Sequence, residues 1–197
     1  STLKLINKLS SEGVFVVFLS SSQVFDGKSP NYSRDSISNP LSVYGKHKHI
    51  VEQNIKKDFS NKCILRITKI LTKESAFFRE IHTQLNIGKN VEAFNNYFIS
   101  PVTINLTCKV IANIIKLKKE GIYQLSSSDQ ISYYDMARYY AKNLELNNGL
   151  VTGVNAKAND ISFSCIPRYS FLEMNKEKEF FNLKQPTSET SLRSILF

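Results

Sequence analysis

Val14–Ser22 reads VFVVFLSSS, and this run decides the fold. Val14 to Leu19 is apolar without alternation and too short for a helix, the pattern of a strand covered on both faces. Such strands belong to the interior of parallel sheets, whose successive strands are joined by helices. The serines then fall at the carboxyl end of the strand, the end at which open α/β sheets place their ligands.

Outward from this strand the signals alternate. Thr2–Leu9 is amphipathic and closes at Glu12-Gly13. Asp26-Gly27 and Ser29-Pro30 mark a loop running to Pro40, after which residues 42–57 read as a helix. Cys63–Thr68 (CILRIT) is a second strand, Ser75–Leu85 a helix that Ser75 caps, and Val91–Phe94 a short strand. Ser100-Pro101 is a turn, Asn105–Lys118 an amphipathic helix, and Gly121–Leu125 a strand. Ser132–Leu144 is a helix with Ser132 as cap and Asp135 in its first turn. Past it the pattern loosens, with helices expected over Leu172–Lys178 and Glu189–Leu196. The whole predicts one α/β domain over 1–197. Residues 1 to about 90 form a parallel-sheet core, and residues from about 91 to 197 a mixed core with a smaller substrate-covering lobe.

Composition sets the outer limits. At 42% hydrophobic and 22% charged, the chain of 197 residues is globular rather than disordered. No apolar run approaches the roughly 20 residues of a membrane span, and no signal peptide pattern is present, which places the chain in the cytoplasm. The net charge is +9, but its lysines are scattered and lack interleaved aromatics, so no nucleic-acid partner is expected. A basic cleft also suits a diphosphate-bearing small molecule. Cys63, Cys108 and Cys165 stand far apart and read as reduced thiols. His47 and His49 point to different helix faces, so no metal site is expected.

The chemistry lies in an ordered set: Ser20-Ser21-Ser22 at the strand end, Val24-Phe25-Asp26-Gly27 leading away, then Tyr44-Gly45-Lys46-His47-Lys48 opening a helix. Tyr44 and Lys48 are one turn apart and share a face. A phenol near pKa 10 is a poor acid at neutral pH, and a neighbouring cation favours its ionised form. A serine hydroxyl beside it can hydrogen-bond a carbonyl oxygen while the tyrosine gives up its proton. The Tyr-x-x-x-Lys pair alone is weak in a chain with nine tyrosines; the conjunction of strand, serines, turn and helix is specific. Arg66, inside an apolar strand, reads as a strand-end arginine with a carboxylate partner. Tyr133, Tyr134, Tyr139 and Tyr140 follow helix packing.

VFLSSSQVFDG and NPLSVYGKHKHIVE together resemble the extended short-chain dehydrogenase/reductases, most closely the dTDP-4-dehydrorhamnose reductase branch. The likeness runs on through CILRIT, NNYFISPVTINLTCKVIANII, GIYQLSSSDQISYYDMARYYA and IPRYSFLEMNK, nearly the whole chain. It implies a Rossmann-like parallel sheet, NADP or NAD as cofactor, and reduction of a 4-keto nucleotide sugar for cell-surface polysaccharide synthesis. An epimerase or dehydratase of the same family, or a non-catalytic relative that binds a sugar nucleotide or a protein, is the alternative. By position Ser21, Tyr44 and Lys48 match the catalytic set. Ser20, Tyr44 and Lys48 border the cofactor, and Lys48 also holds the nicotinamide ribose. Ser22, Gln23, Ser100, Pro101 and Arg168 fall where the substrate lies. A homodimer through the Tyr44–Lys56 helix is implied likewise.

The sequence departs from that family in three places. Ser21-Ser22-Gln23 stands for the usual Thr-Asp-Tyr, and Lys69 for an aromatic after the second strand. No G-x-x-G-x-x-G occurs; in the family that turn lies roughly 100 residues before the serines. The resemblance therefore implies that the cofactor-cradling half precedes this chain, and that these residues alone are inactive.

Overall fold

The computed structural model describes residues 2–156 and 166–197, apart from the side chain of Lys176. Helix α1 (Thr2–Ser11) leads into strand β1 (Val16–Ser21), and α2 (Val43–Ile55) into β2 (Lys62–Ile67). Strand β3 (Ile70–Leu71), helix α3 (Ala76–Asn86) and strands β4 (Val91–Phe94), β5 (Phe98–Ile99) and β6 (Val102–Thr103) follow. The chain continues as α4 (Ile104–Leu117), β7 (Gly121–Leu125), β8 (Ile131–Ser132), α5 (Tyr133–Asn143), β9 (Val151–Val154), α6 (Asn175–Phe181) and α7 (Ser188–Leu196).

Strands β1, β2 and β7 form a parallel sheet in that order, with Leu19 beside Leu65 and Leu65 beside Tyr123. Every residue of the central β2 is buried, the reason its sequence is apolar on both faces. On one face Phe18 and Ile64 pack with Ile6 of α1 and Ile55 of α2. On the other, Cys63, Leu65 and Ile67 meet Val110 and Ile114 of α4. The α/β architecture read from the sequence is the observed one, but β1 is an edge strand of this described sheet rather than an interior one, and Leu19 is exposed because no strand pairs with β1 on its outer side there. β1 starts two residues later than the apolar run and takes in Ser20 and Ser21, because its register with β2 carries on to Ile67.

A second core lies around the parallel pair β4 and β9, under Phe78 and Ile81 of α3, Met136 and Tyr140 of α5, and Leu192 and Ile195 of α7. Phe78 and Tyr140 stack with ring centres 4.8 Å apart. Helix starts follow local chemistry: Ser42, Thr103 and Ser132 each accept the backbone N–H three residues on. Ser75 precedes α3 without making that bond. The helix expected over Leu172–Lys178 is instead α6. Leu172, fully buried, pairs in a bridge with Tyr32, which holds the backbone extended there. No described helix is long and apolar enough to cross a membrane.

Arg66 is the fifth of six residues in β2 rather than at its end, and it is inaccessible to solvent. Its Nε and Nη2 donate to Glu52 of α2, Nη2 at 2.8 Å, and Nη1 donates to the Arg34 carbonyl at 2.9 Å. Its guanidinium lies 5.0 Å from the Phe25 ring centre. The expected carboxylate partner is thus present, and it ties β2 to α2 and to the loop after β1.

Candidate active site

The turn after β1 begins where the sequence changes from apolar to serine. Ser20 and Ser21 point to opposite sides of the strand. The Ser20 hydroxyl donates to Glu52 Oε1 at 2.6 Å, inside the Arg66 knot. Ser21 caps a short 3-10 turn (residues 22–24): its Oγ accepts the Gln23 N–H at 3.2 Å. An accepted bond still leaves the hydroxyl proton for a ligand oxygen.

The loop that follows is pinned from inside. Val24 and Phe25 are fully buried, and Phe25 stacks on Tyr32 with centres 4.4 Å apart. The Tyr32 hydroxyl donates to Asp26 Oδ1 at 2.6 Å. That bond, foremost, holds the Asp26 carboxyl below its usual range, while burial and then Asp26 push the Tyr32 phenol up. The loop returns to α2, where the Ser42 hydroxyl donates to Gln23 Oε1 at 2.9 Å. The Val-Phe-Asp-Gly motif is thereby a scaffold for the serine turn. Gly27 has φ +67°, and a β-carbon there would fall on Pro167. Its carbonyl accepts the Tyr169 N–H at 3.1 Å. This contact draws the segment after residue 166 alongside the serine turn.

Helix α2 presents Tyr44 half exposed and Lys48 one turn on. The Lys48 ammonium donates to the Leu19 carbonyl at 2.7 Å and lies 5.4 Å from the Tyr44 ring centre and 4.9 Å from that of Phe18. Burial lowers its pKa below the ordinary lysine value.

A cavity of about 450 Å³ opens at this carboxyl end of the sheet. Ser21, Ser22, Gln23 and Tyr44, four of the sequence-predicted residues, line it together. Lys48 supports Tyr44 from beside it rather than lining the cavity. The structure does not bring Ser20 there, because strand alternation turns it into the core. Nor does it bring Ser100 or Pro101 there. Ser100 is fully buried, with its hydroxyl donating to the Asp129 carbonyl at 2.6 Å, and Pro101 is also buried. Arg168 is exposed, its Nε donating to the Asn96 carbonyl at 2.9 Å, while its neighbours Pro167 and Ser170 face the cavity. Cys165 lies outside the described residues.

The cavity also takes Thr68 and Lys69 after β2, Phe98 and Ile99 of β5, Tyr133 of α5, and Ile166. Sequence reading assigned Tyr133 to packing. It does pack against Phe77, but its hydroxyl oxygen also accepts a hydrogen bond from the Lys69 ammonium at 3.2 Å. The sequence signal for these residues is weak, since they lie in or beside two-residue strands, at a helix start or in a loop, and their cavity neighbours come from distant sequence.

The RmlD substrate-binding domain profile matches residues 1–197, the entire chain. The chain belongs to the RmlD substrate-binding domain family. Among its relatives, subunit beta of methionine adenosyltransferase 2 from Xenopus laevis is 30% identical over 139 residues, 64% of this chain and 40% of that protein. The dTDP-4-dehydrorhamnose reductase of Sinorhizobium fredii is 26% identical over 94% of this chain and 66% of that enzyme. The crystal structure of dTDP-4-dehydrorhamnose reductase from Bacillus anthracis in complex with NADP superposes with a TM-score of 0.83 at 20% identity, covering 95% of this chain and 66% of that one. At that identity the likeness shows the Rossmann-like fold. The RmlD-family chain thus spans about two-fifths of the first of these relatives and two-thirds of the reductases.

Proposed function

We propose that this chain carries the proton donor and substrate pocket of an NAD(P)H-dependent reductase acting on a 4-keto nucleotide sugar. The observation that carries this reading is the joint placement of Ser21 and Tyr44 on one cavity at the carboxyl end of the sheet, with Lys48 beside the tyrosine ring. Residues 1 to about 90 then form the cofactor side of the site, and 91–197 the substrate side.

The chemistry of the donors fits a dinucleotide's ribose. Tyr44 offers a half-exposed phenol, and the Lys48 ammonium can exchange its Leu19 carbonyl for a ribose hydroxyl. NADP or NAD, when bound, supplies a hydride. Ser21 holds the substrate carbonyl oxygen by its hydroxyl proton, and Tyr44 gives its own proton to that oxygen as charge builds there. Lys48 stabilises the phenolate left behind. A role in polysaccharide synthesis, in the cytoplasm, completes this reading.

The test uses the complete protein with whatever segment precedes Ser1. It should oxidise NADPH in the presence of a dTDP-4-keto sugar, and Tyr44→Phe should lower that rate about 10²- to 10⁴-fold. A Tyr44→Phe protein of undiminished activity sinks the mechanism.

A second reading has its own support. The subunit beta relatives share 26–30% identity with this chain and are named as part of a different enzyme. Under it the fold serves as a binding subunit. A complete protein without NAD(P)H binding by fluorescence, but with a stable partner in solution, favours it.

A further inference from the structure

Lys69 stands where the second strand of the sheet runs out, exposed at the wall of the cavity that holds Ser21 and Tyr44. Its ammonium makes one hydrogen bond among the described residues, 3.2 Å to the Tyr133 hydroxyl, and lies 5.3 Å from that ring's centre. The rest of the described lining is hydroxyl, amide and apolar: Ser21, Ser22, Gln23, Tyr44, Thr68 and Ser170 bear its polar groups, and none is a carboxylate. Two lysines elsewhere in the chain show the alternative, a carboxylate partner. Lys62 is paired with Asp58 at 3.0 Å, and Lys56 lies 3.9 Å from Glu52. Among the described residues Lys69 thus has no carboxylate partner, and Tyr133 fixes its direction by a hydrogen bond and by its ring face.

A cation held in a concave site without a protein counter-ion attracts an anion and discriminates against neutral ligands. Tyr133 and Ile166 also wall a neighbouring cavity of about 220 Å³ with Phe77, Phe94, Tyr97 and one carboxylate, Glu92, so a ligand reaching Lys69 has a mainly aromatic surface next to it. We propose that Lys69, oriented by Tyr133, binds an anionic oxygen group of the substrate and is a specificity-determining residue of this site. The inference rests on the reading of the cavity as a substrate pocket. The anion is a phosphate of a nucleoside diphosphate or a carboxylate on the sugar; both offer the oxygen that an ammonium recognises.

Calorimetric titration of the complete protein with dTDP, UDP-glucose and UDP-glucuronic acid tests it, using the wild type, Lys69→Met and Lys69→Arg. The wild type should bind with an affinity that falls as salt rises. Lys69→Met should weaken binding at least about tenfold and flatten that salt dependence, and Lys69→Arg should restore most of it. Equal weakening toward all three ligands assigns the anion to the diphosphate. Loss confined to UDP-glucuronic acid assigns it to a carboxylate. Because Lys69 is exposed, the variants should melt as the wild type does. No saturable binding by the wild type, or unchanged affinity in Lys69→Met, overturns the proposal. The assay needs no turnover. Binding through Lys69 in a protein whose NADPH oxidation ignores Tyr44 would sink the reductase reading alone.

Discussion

Gly45 lies against the carbonyl oxygen of Gln23 so closely that a β-carbon at position 45 would fall on that oxygen and touch Pro40. Gly45 is the residue after Tyr44, and Gln23 the second after Ser21. The missing side chain is what lets helix α2 seat on the serine turn and places phenol and hydroxyl on one cavity. Gly45→Ala should therefore cost about 1–3 kcal/mol by overpacking, measured by urea unfolding. In the complete protein it should lower NADPH oxidation as well. A variant with unchanged stability and unchanged activity would show that the turn and helix can part without loss.

The Arg66–Glu52 pair is held by three donor–acceptor contacts, and neither side chain reaches solvent. Removing one partner leaves a buried charge uncompensated. Glu52→Gln should destabilise the fold by about 3–5 kcal/mol in thermal or urea unfolding, whereas replacing both residues with apolar ones of similar volume should cost less than the single change. Ser20 also loses its acceptor in Glu52→Leu, so part of the double variant's deficit should disappear with Ser20→Ala.

Cys63 and Cys108 should differ sharply as nucleophiles. Cys63 is fully buried in β2, and burial pushes its thiol up to about 12. The thiolate is the reactive form, so at pH 8 to about 9 Cys63 should stay unlabelled by iodoacetamide until the protein unfolds. Cys108, exposed on α4, should label in the native state. Peptide mapping by mass spectrometry distinguishes the two, and native labelling of Cys63 would mean that the sheet opens readily.

Much of the fold was legible because it rests on local rules. VFVVFL and CILRI read as strands because they are short, mainly apolar and bounded by turn signals, though only the second is covered on both faces along its length. Ser42, Thr103 and Ser132 mark helix starts by the bonds they make within three residues. The sequence by itself also determined that Tyr44 and Lys48 lie together, because residues one helical turn apart share a face. Tertiary structure decided the rest. Whether Ser20 or Ser21 faces the cavity depends on strand register, and one residue of alternation sent Ser20 to Glu52. The Ser100 hydroxyl was drawn inward by a carbonyl 29 positions away, and Lys69 and Tyr133 met across 64 residues. Such encounters carry no periodicity along the chain. They arise because a parallel sheet gathers the ends of distant strands at one edge, and only the completed packing selects which side chains meet there.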